Sequence, residues 1–435
     1  MPSHSVFLIW GFCAAAIVGD IAQWPALQQT ATVLLVLALM LDARLWITRG
    51  SGKLSLAVGV GALVLGWLAG DPLQALMGLT HYTPVIALLL CVSLIRLPMT
   101  ASGVDASIKG VLAKVRKSAR SGTVTAASVL LAPMLNLGTL AFMSSFLKDN
   151  SRPDTTAPVA VTRGIVMSML WAPSFAPIAM VMAAFPNVTW ISTLPIAITL
   201  LAASVILGAR VRGDIDTGLL PSEIHWHRLW MAASLIAVML ATSILLRVLV
   251  DAPLTDAVSA SGVVVFFVWL AVAPSKRSEW VTLLSAHTAY MWQAVIAESA
   301  LFAASGILAE VLRQPHWASM LQYWLSFANQ PTWGAMTTLV LGIPALATIG
   351  LHPIVPFSIL VHTVTPQGLG VTPPVLYMTW VIIWVLSLLV SPVSALNLTA
   401  SAAFGVSSWR LGFQTNWCYG LALGVAAVFI LHLWS

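Results

Sequence analysis

The stretch Val375–Asn397 reads VLYMTWVIIWVLSLLVSPVSALN. An apolar run without a single charge stops at Ser391-Pro392, and small polar residues follow at once. Such a run offers water no polar face, so it belongs in lipid or deep in a protein that lipid surrounds. Proline removes a backbone donor and clashes with the preceding turn, so the helix breaks there. In hydrocarbon the freed carbonyls must find partners inside the protein. One segment therefore predicts both a membrane helix and a polar interruption within it.

The rest of the chain extends that reading. Of 435 residues, 59% are hydrophobic and 8% charged, against about 25% charged in soluble domains. Mean hydropathy is +0.94. Clear apolar runs lie near 5–19, 25–41, 54–70, 82–97, 190–208, 229–249, 257–273, 375–391 and 416–434. Longer, interrupted runs lie at 122–147, 159–186, 281–309, 334–364 and 391–407. Unbroken runs rather than short alternating ones exclude a β-barrel. The expectation is an all-α polytopic membrane protein with roughly 10–12 transmembrane segments. Met1 to Val6 holds no Lys or Arg, so the first run reads as a retained span, not a secretion signal. Cys13, Cys91 and Cys418 show no pairing or metal spacing.

Basic residues set the orientation. Arg44, Arg49 and Lys53 follow the second run, Arg96 to Arg120 the fourth, and Arg210, Arg212 and Arg228 flank the middle of the chain. The positive-inside rule places these loops and the N-terminus in the cytoplasm of a bacterial-type inner membrane. Asp105–Arg120 reads as a basic helix on the membrane surface or a solvated loop. Trp24, Trp46, Trp190, Trp230 and Trp280 near run ends read as interfacial anchors. His225 and His227 lie in the polar linker without further ligands, so no metal is expected. No other cofactor or nucleic-acid partner is expected.

The order of simple and interrupted runs repeats. Residues 1–208 form one expected repeat, with a hairpin near 122–147 and a broken helix near 159–186. Residues 209–228 form a cytoplasmic linker. Residues 229–435 form the second repeat, with a hairpin region near 281–364 and a broken helix near 375–407. Four segments carry the interruptions: Leu131–Thr139, Trp171–Pro177, Ala347–Pro356 and Ser391–Thr399. Broken spans in corresponding positions of two halves point to a transport site. Half-helix N-termini favour anions.

Gly350-Leu-His-Pro353, Thr372-Pro-Pro374 and Val390–Ala400 resemble the C-terminal half of the ion transporter superfamily. That group includes divalent anion:sodium symporters and the large membrane subunit of TRAP transporters. Ser391, Pro392 and Asn397 match its Ser/Thr-Pro-x-x-x-x-Asn signature. Ala297-Glu-Ser and Ala304–Ala309 resemble the hairpin region that opens its second repeat. The resemblance covers roughly 280–415 and, less closely, 120–205. It implies two inverted repeats and elevator-like motion. The symporters carry Ser-Asn-Thr at the hairpin tips; here the first tip reads Leu135-Asn136-Leu137 and the second has no Asn. Substrate and coupling ion stay open.

The expected activity is secondary transport of a small organic anion, not catalysis. Asn136, Gly138, Thr139, Ser174, Thr348, His352, Ser391, Ser394, Asn397 and Thr399 are the candidate substrate-binding residues. Na⁺ would use carbonyls around Gly138, Gly350 and Asn397; H⁺ would use Glu298 or His352. Arg163 reads as snorkelling or facing an anion; His287 and His362 are weaker candidates, and Asp20 marks a span end. No Gly-x-x-x-x-Gly-Lys loop is present for ATP. The alternatives are a membrane subunit of a binding-protein-dependent, TRAP-like transporter and a membrane-embedded enzyme acting on lipid or peptide. A homodimer is left open.

Overall fold

The computed structural model describes residues 3–101, 107–108, 110–111, 117–147, 155–208, 226–272, 279–324, 332–361 and 363–435. The surface helix expected over Asp105–Arg120 lies largely outside these, as do the linker up to His225 and the side chain of His362. The described residues are helical and contain no strand. Among the described residues, seven helices are long and apolar enough to cross a membrane, with four shorter apolar ones besides. The chain is an all-α polytopic membrane protein.

The helices are α1 (Ser3–Ile21), α2 (Pro25–Leu41), α3 (Gly50–Leu68) and α4 (Thr83–Ser93), then α5 (Lys117–Leu135) and α6 (Gly138–Leu147). Next come α7 (Thr156–Met169), α8 (Ala176–Ala184), α9 (Trp190–Gly208), α10 (Trp226–Val250), α11 (Leu254–Val272) and α12 (Trp280–Arg313). Helix α13 joins Thr332–Thr337, a π-turn at Thr338–Gly342 and Ile343–Thr348. The chain closes with α14 (Ile354–Leu360), α15 (Pro373–Val390), α16 (Ala395–Phe404) and α17 (Trp417–Leu433).

Two packed groups emerge. Helices α1–α4 and α10–α12 gather round α12, which lies along α3. Helices α5–α9, α13 and α15–α17 gather round α15. From Val375 to Val390 nearly every side chain of α15 is buried, including Trp380 and Trp384. That explains a sequence hydrophobic on all sides: protein, not lipid, surrounds this helix. Helices α9 and α10 instead leave Ile191, Ile198, Ile206, Val248 and Leu249 exposed, as lipid-facing spans do.

The breaks fall where the prolines and small polar residues predict. Helices α5 and α6 form a hairpin whose tip, Asn136-Leu137, turns with Asn136 at φ +50°. Asparagine tolerates this left-handed backbone because its side chain bonds locally; here Oδ1 accepts from the Leu137 amide at 2.9 Å. Residues 170–175 interrupt α7 and α8, and residues 391–394 interrupt α15 and α16.

The region expected as a hairpin over 281–364 is different. Trp280–Arg313 is one helix of 34 residues; only α13 and α14 make the second re-entrant turn. The Ala304-Ser-Gly306 segment is a packing notch. Gly306 meets the backbone of Gly78 so closely that a Cβ on either would collide with the other's carbonyl. Small residues in membrane helices let backbones approach in this way, and no proline lies in 280–313 to break the helix.

Candidate functional site

The four interruptions converge. Asn136 and Leu137 from the first tip, Phe175–Pro177 from the first break, His352 from the second turn, and Ala395 with Leu396 from the second break line one chamber. It encloses about 60 Å³ and is otherwise apolar, walled by Ile165, Met169, Leu301, Phe302 and Trp384. A second chamber of about 160 Å³ adjoins it. Leu89, Asn136, Leu137 and Glu298 line both, so they form the waist between them. Ser93, Arg96, Gly138, Tyr290 and Thr399 line the larger chamber and bring polar groups to it.

Local chemistry builds each break. Pro133 lies within α5, less than one turn before the tip. The carbonyl of Pro133, left without a helical partner as the chain turns, accepts from Ser174 Oγ at 2.6 Å. Ser174 thus ties the first break to the first hairpin rather than facing either chamber. Asn397 does the same for α15. Its Nδ2 donates to the Leu389 and Ser391 carbonyls, both at 2.9 Å, and to Leu388 O at 3.3 Å. Ser394 Oγ donates to Leu388 O at 2.7 Å and accepts from the Asn397 amide at 3.2 Å, capping α16. The Ser-Pro-x-x-x-x-Asn pattern is therefore a device that satisfies carbonyls a proline break exposes. Asn397 Oδ1 stays buried without a partner.

The remaining candidates divide. Gly138, Thr399, Glu298 and His352 line the chambers. Thr139 is buried beside the tip, its hydroxyl unpartnered. Ser391 is buried at the second break. Gly350, at φ +101°, ends α13 with Leu351 N bonded to Leu346 O and Gly350 N to Ala347 O. This left-handed closure is a common glycine role. Thr348 Oγ1 turns back to Ala345 O at 2.6 Å and lies by a separate surface hollow. Arg163 lines neither chamber; its Nε donates to Asn416 Oδ1 at 3.0 Å.

Three chamber residues escaped the sequence reading. Arg96 looked like one more cytoplasmic cation, but a guanidinium nitrogen lies 3.7 Å from where a Gly138 Cβ would stand. It also sits 5.1 Å over the Tyr290 ring. Trp384, inside the 375–391 run, is buried beside His352, ring centroids 6.2 Å apart, with its indole N–H unpartnered. Tyr290 carried no signal at all. Arg96 was findable in principle, because it alone of its basic cluster directly follows the apolar Thr83–Ile95 run. Among the described residues, Glu298 forms no ion pair, and no group of three His, Cys, Asp or Glu could hold a metal.

Ser93 and His287 meet at 3.1 Å. Ser93 Oγ also donates to Leu90 O at 2.6 Å, so its proton is committed to backbone. The imidazole then donates to the hydroxyl rather than activating it.

No protein-family model and no curated protein matches the chain. Among solved structures, the crystal structure of the YdaH transporter of Alcanivorax borkumensis superposes with a TM-score of 0.58 at 14% identity. The match covers 89% of this chain and 98% of that one. The chain is thus similar in fold, along almost its whole length, to a membrane transporter.

Proposed function

We propose that the protein is a secondary transporter that moves a small organic anion across the cytoplasmic membrane by an elevator-like motion, as the ion transporter superfamily does. The supporting observation is the convergence of both helix breaks and both re-entrant turns on one pair of chambers. Irregular backbone at membrane depth persists only where protein or a polar cavity satisfies it, and paired broken helices mark transport sites. Arg96 supplies the anion's counter-charge beside the Gly138 tip, and Asn136 and Thr399 supply hydrogen bonds. The two halves form inverted repeats, and the group around α15 moves against the group around α12.

H⁺ is the coupling ion this arrangement favours. Glu298 stands at the waist between the chambers without a fixed cation, and a proton is the simplest charge compensation for it. The carbonyls that Na⁺ would need at the second break are occupied by Asn397 Nδ2. The test is uptake by the purified chain in liposomes, with an imposed pH gradient or Na⁺ gradient. Uptake driven by the pH gradient, and lost in Glu298→Gln while substrate exchange persists, is expected. Uptake driven by Na⁺ alone would return the coupling role to the carbonyls around Gly138, Gly350 and Asn397. Uptake without any partner also excludes the TRAP-like reading. The enzyme reading has one observation, the Ser93–His287 contact. It predicts covalent labelling of Ser93 by a fluorophosphonate; the hydrogen bond to Leu90 predicts none.

A further inference from the structure

Arg163 presents a problem that the central chambers do not solve. Its side chain is buried, with 8% of the residue's surface open. Among the described residues no carboxylate pairs with it. Its contacts are one amide oxygen, Asn416 Oδ1 at 3.0 Å, one long bond to Thr415 O at 3.5 Å, and the Tyr419 ring at 4.2 Å. An arginine held in a membrane protein without an anion is costly. The same spot holds a second unmet need. Asn416 is fully buried, and because Oδ1 faces the guanidinium, its Nδ2 donor has no partner. A guanidinium and an orphaned amide donor side by side are half of an anion site.

Position identifies the anion. Arg163 lies seven residues before the first break, about 10 Å along the helix, so it approaches the edge of the hydrocarbon. Asn416 directly precedes α17. Gly208, in α9, stands with its Cβ position 3.8 Å from the Tyr419 ring. Helix α9 and the start of α17 thus pack together beside α7. The segment around them carries Trp409, Phe413 and Trp417 as a stacked ladder, centroids 4.9 and 6.4 Å apart, each 40–49% exposed. Aromatic ladders of this kind mark the interface between hydrocarbon and headgroups. Arg410 is exposed within it. The Arg410–Thr415 turn is π-helical, a local widening often found at binding sites.

We propose that the Arg163–Asn416 pair binds the phosphate of an anionic phospholipid headgroup. One phosphate oxygen takes the guanidinium, displacing the long Thr415 contact. A second takes Asn416 Nδ2, and the Trp409–Phe413–Trp417 ladder carries the glycerol and upper acyl region. The site is separate from the chambers and holds whatever they carry.

The test compares nanodiscs of pure phosphatidylcholine with nanodiscs containing phosphatidylglycerol, read by thermal unfolding and by native mass spectrometry. Ligand bound to the folded state raises apparent stability. Wild type should unfold at least about 3 °C higher with phosphatidylglycerol and should retain that lipid in preference to phosphatidylcholine. Asn416→Asp gives Arg163 a carboxylate of its own. It should keep or raise the melting temperature in phosphatidylcholine while losing both the shift and the retained lipid. A general effect of anionic lipid on the surface would persist in Asn416→Asp and would overturn the proposal. So would equal melting temperatures of wild type in the two lipids. Inorganic phosphate added to phosphatidylcholine discs is the remaining arm: a shift matching that of phosphatidylglycerol would assign the pair to a free anion instead.

Discussion

Arg96 and Glu298 both line the larger chamber. A substrate anion entering this chamber would meet the Arg96 guanidinium. A charge-assisted hydrogen bond is worth about 1.5–3 kcal/mol, so Arg96→Gln should weaken anion binding by roughly 10- to 100-fold. Isothermal titration with an anion found by thermal-shift screening would read this directly; affinity within about a factor of two of wild type would move the anion site elsewhere. Trp384 allows a finer reading. Its indole N–H has no partner within the protein, so Trp384→Phe removes a donor that contributes no hydrogen bond to the fold. If the donor serves the substrate, affinity should fall about 10-fold, while wild-type stability is kept apart from the smaller ring. Neither residue was visible as functional from the sequence. A tryptophan inside an apolar run and an arginine at its end have the same appearance whether they anchor, snorkel or bind, because depth and facing direction decide, and neither is encoded locally.

At the scale of the element, the second break shows why sequence motifs locate helix breaks better than they assign roles. The proline, serines and asparagine of Ser391–Asn397 mark a break in the expected place, since a proline in lipid forces carbonyls to seek partners. Which partner each would find depended on the fold. Asn397 is spent on the backbone of α15 and Ser394 on the cap of α16. Asn397→Ala should therefore act as a folding lesion. It strands at least two buried carbonyls, each costing about 1–3 kcal/mol, and lowers the melting temperature whether or not ligand is present. Gly412→Ala should do likewise, because its Cβ would stand 2.7 Å from Val390 O and 3.0 Å from Asn397 Nδ2. If either variant kept its stability and lost only affinity, the asparagine would belong to the ligand after all. The long helix α12 carries the complementary lesson. Its Ala-Ser-Gly segment looks like a hairpin opening in sequence, and only the facing Gly78 reveals it as a place where two backbones touch.

Across the whole molecule, the chambers lie on the seam between the two packed groups. Leu137, from the hairpin of the α15 group, and Ala294, from α12, both line the larger chamber. An elevator must part such pairs, since the hairpin tip and its cargo travel while the α12 group stays fixed in the bilayer. A rocking hinge at the breaks would leave them close throughout. The two motions make opposite predictions for a cysteine pair. In a background with Cys13, Cys91 and Cys418 replaced by serine, Leu137→Cys with Ala294→Cys should cross-link with a short bifunctional thiol reagent. The linked protein should bind substrate yet stop transporting, and each single variant treated alike should transport normally. Cleaving a reducible linker should restore transport, which separates a locked conformation from a damaged site. Continued transport by the linked pair would mean that the tip and α12 never separate. The breaks would then have to work as hinges within a stationary bundle.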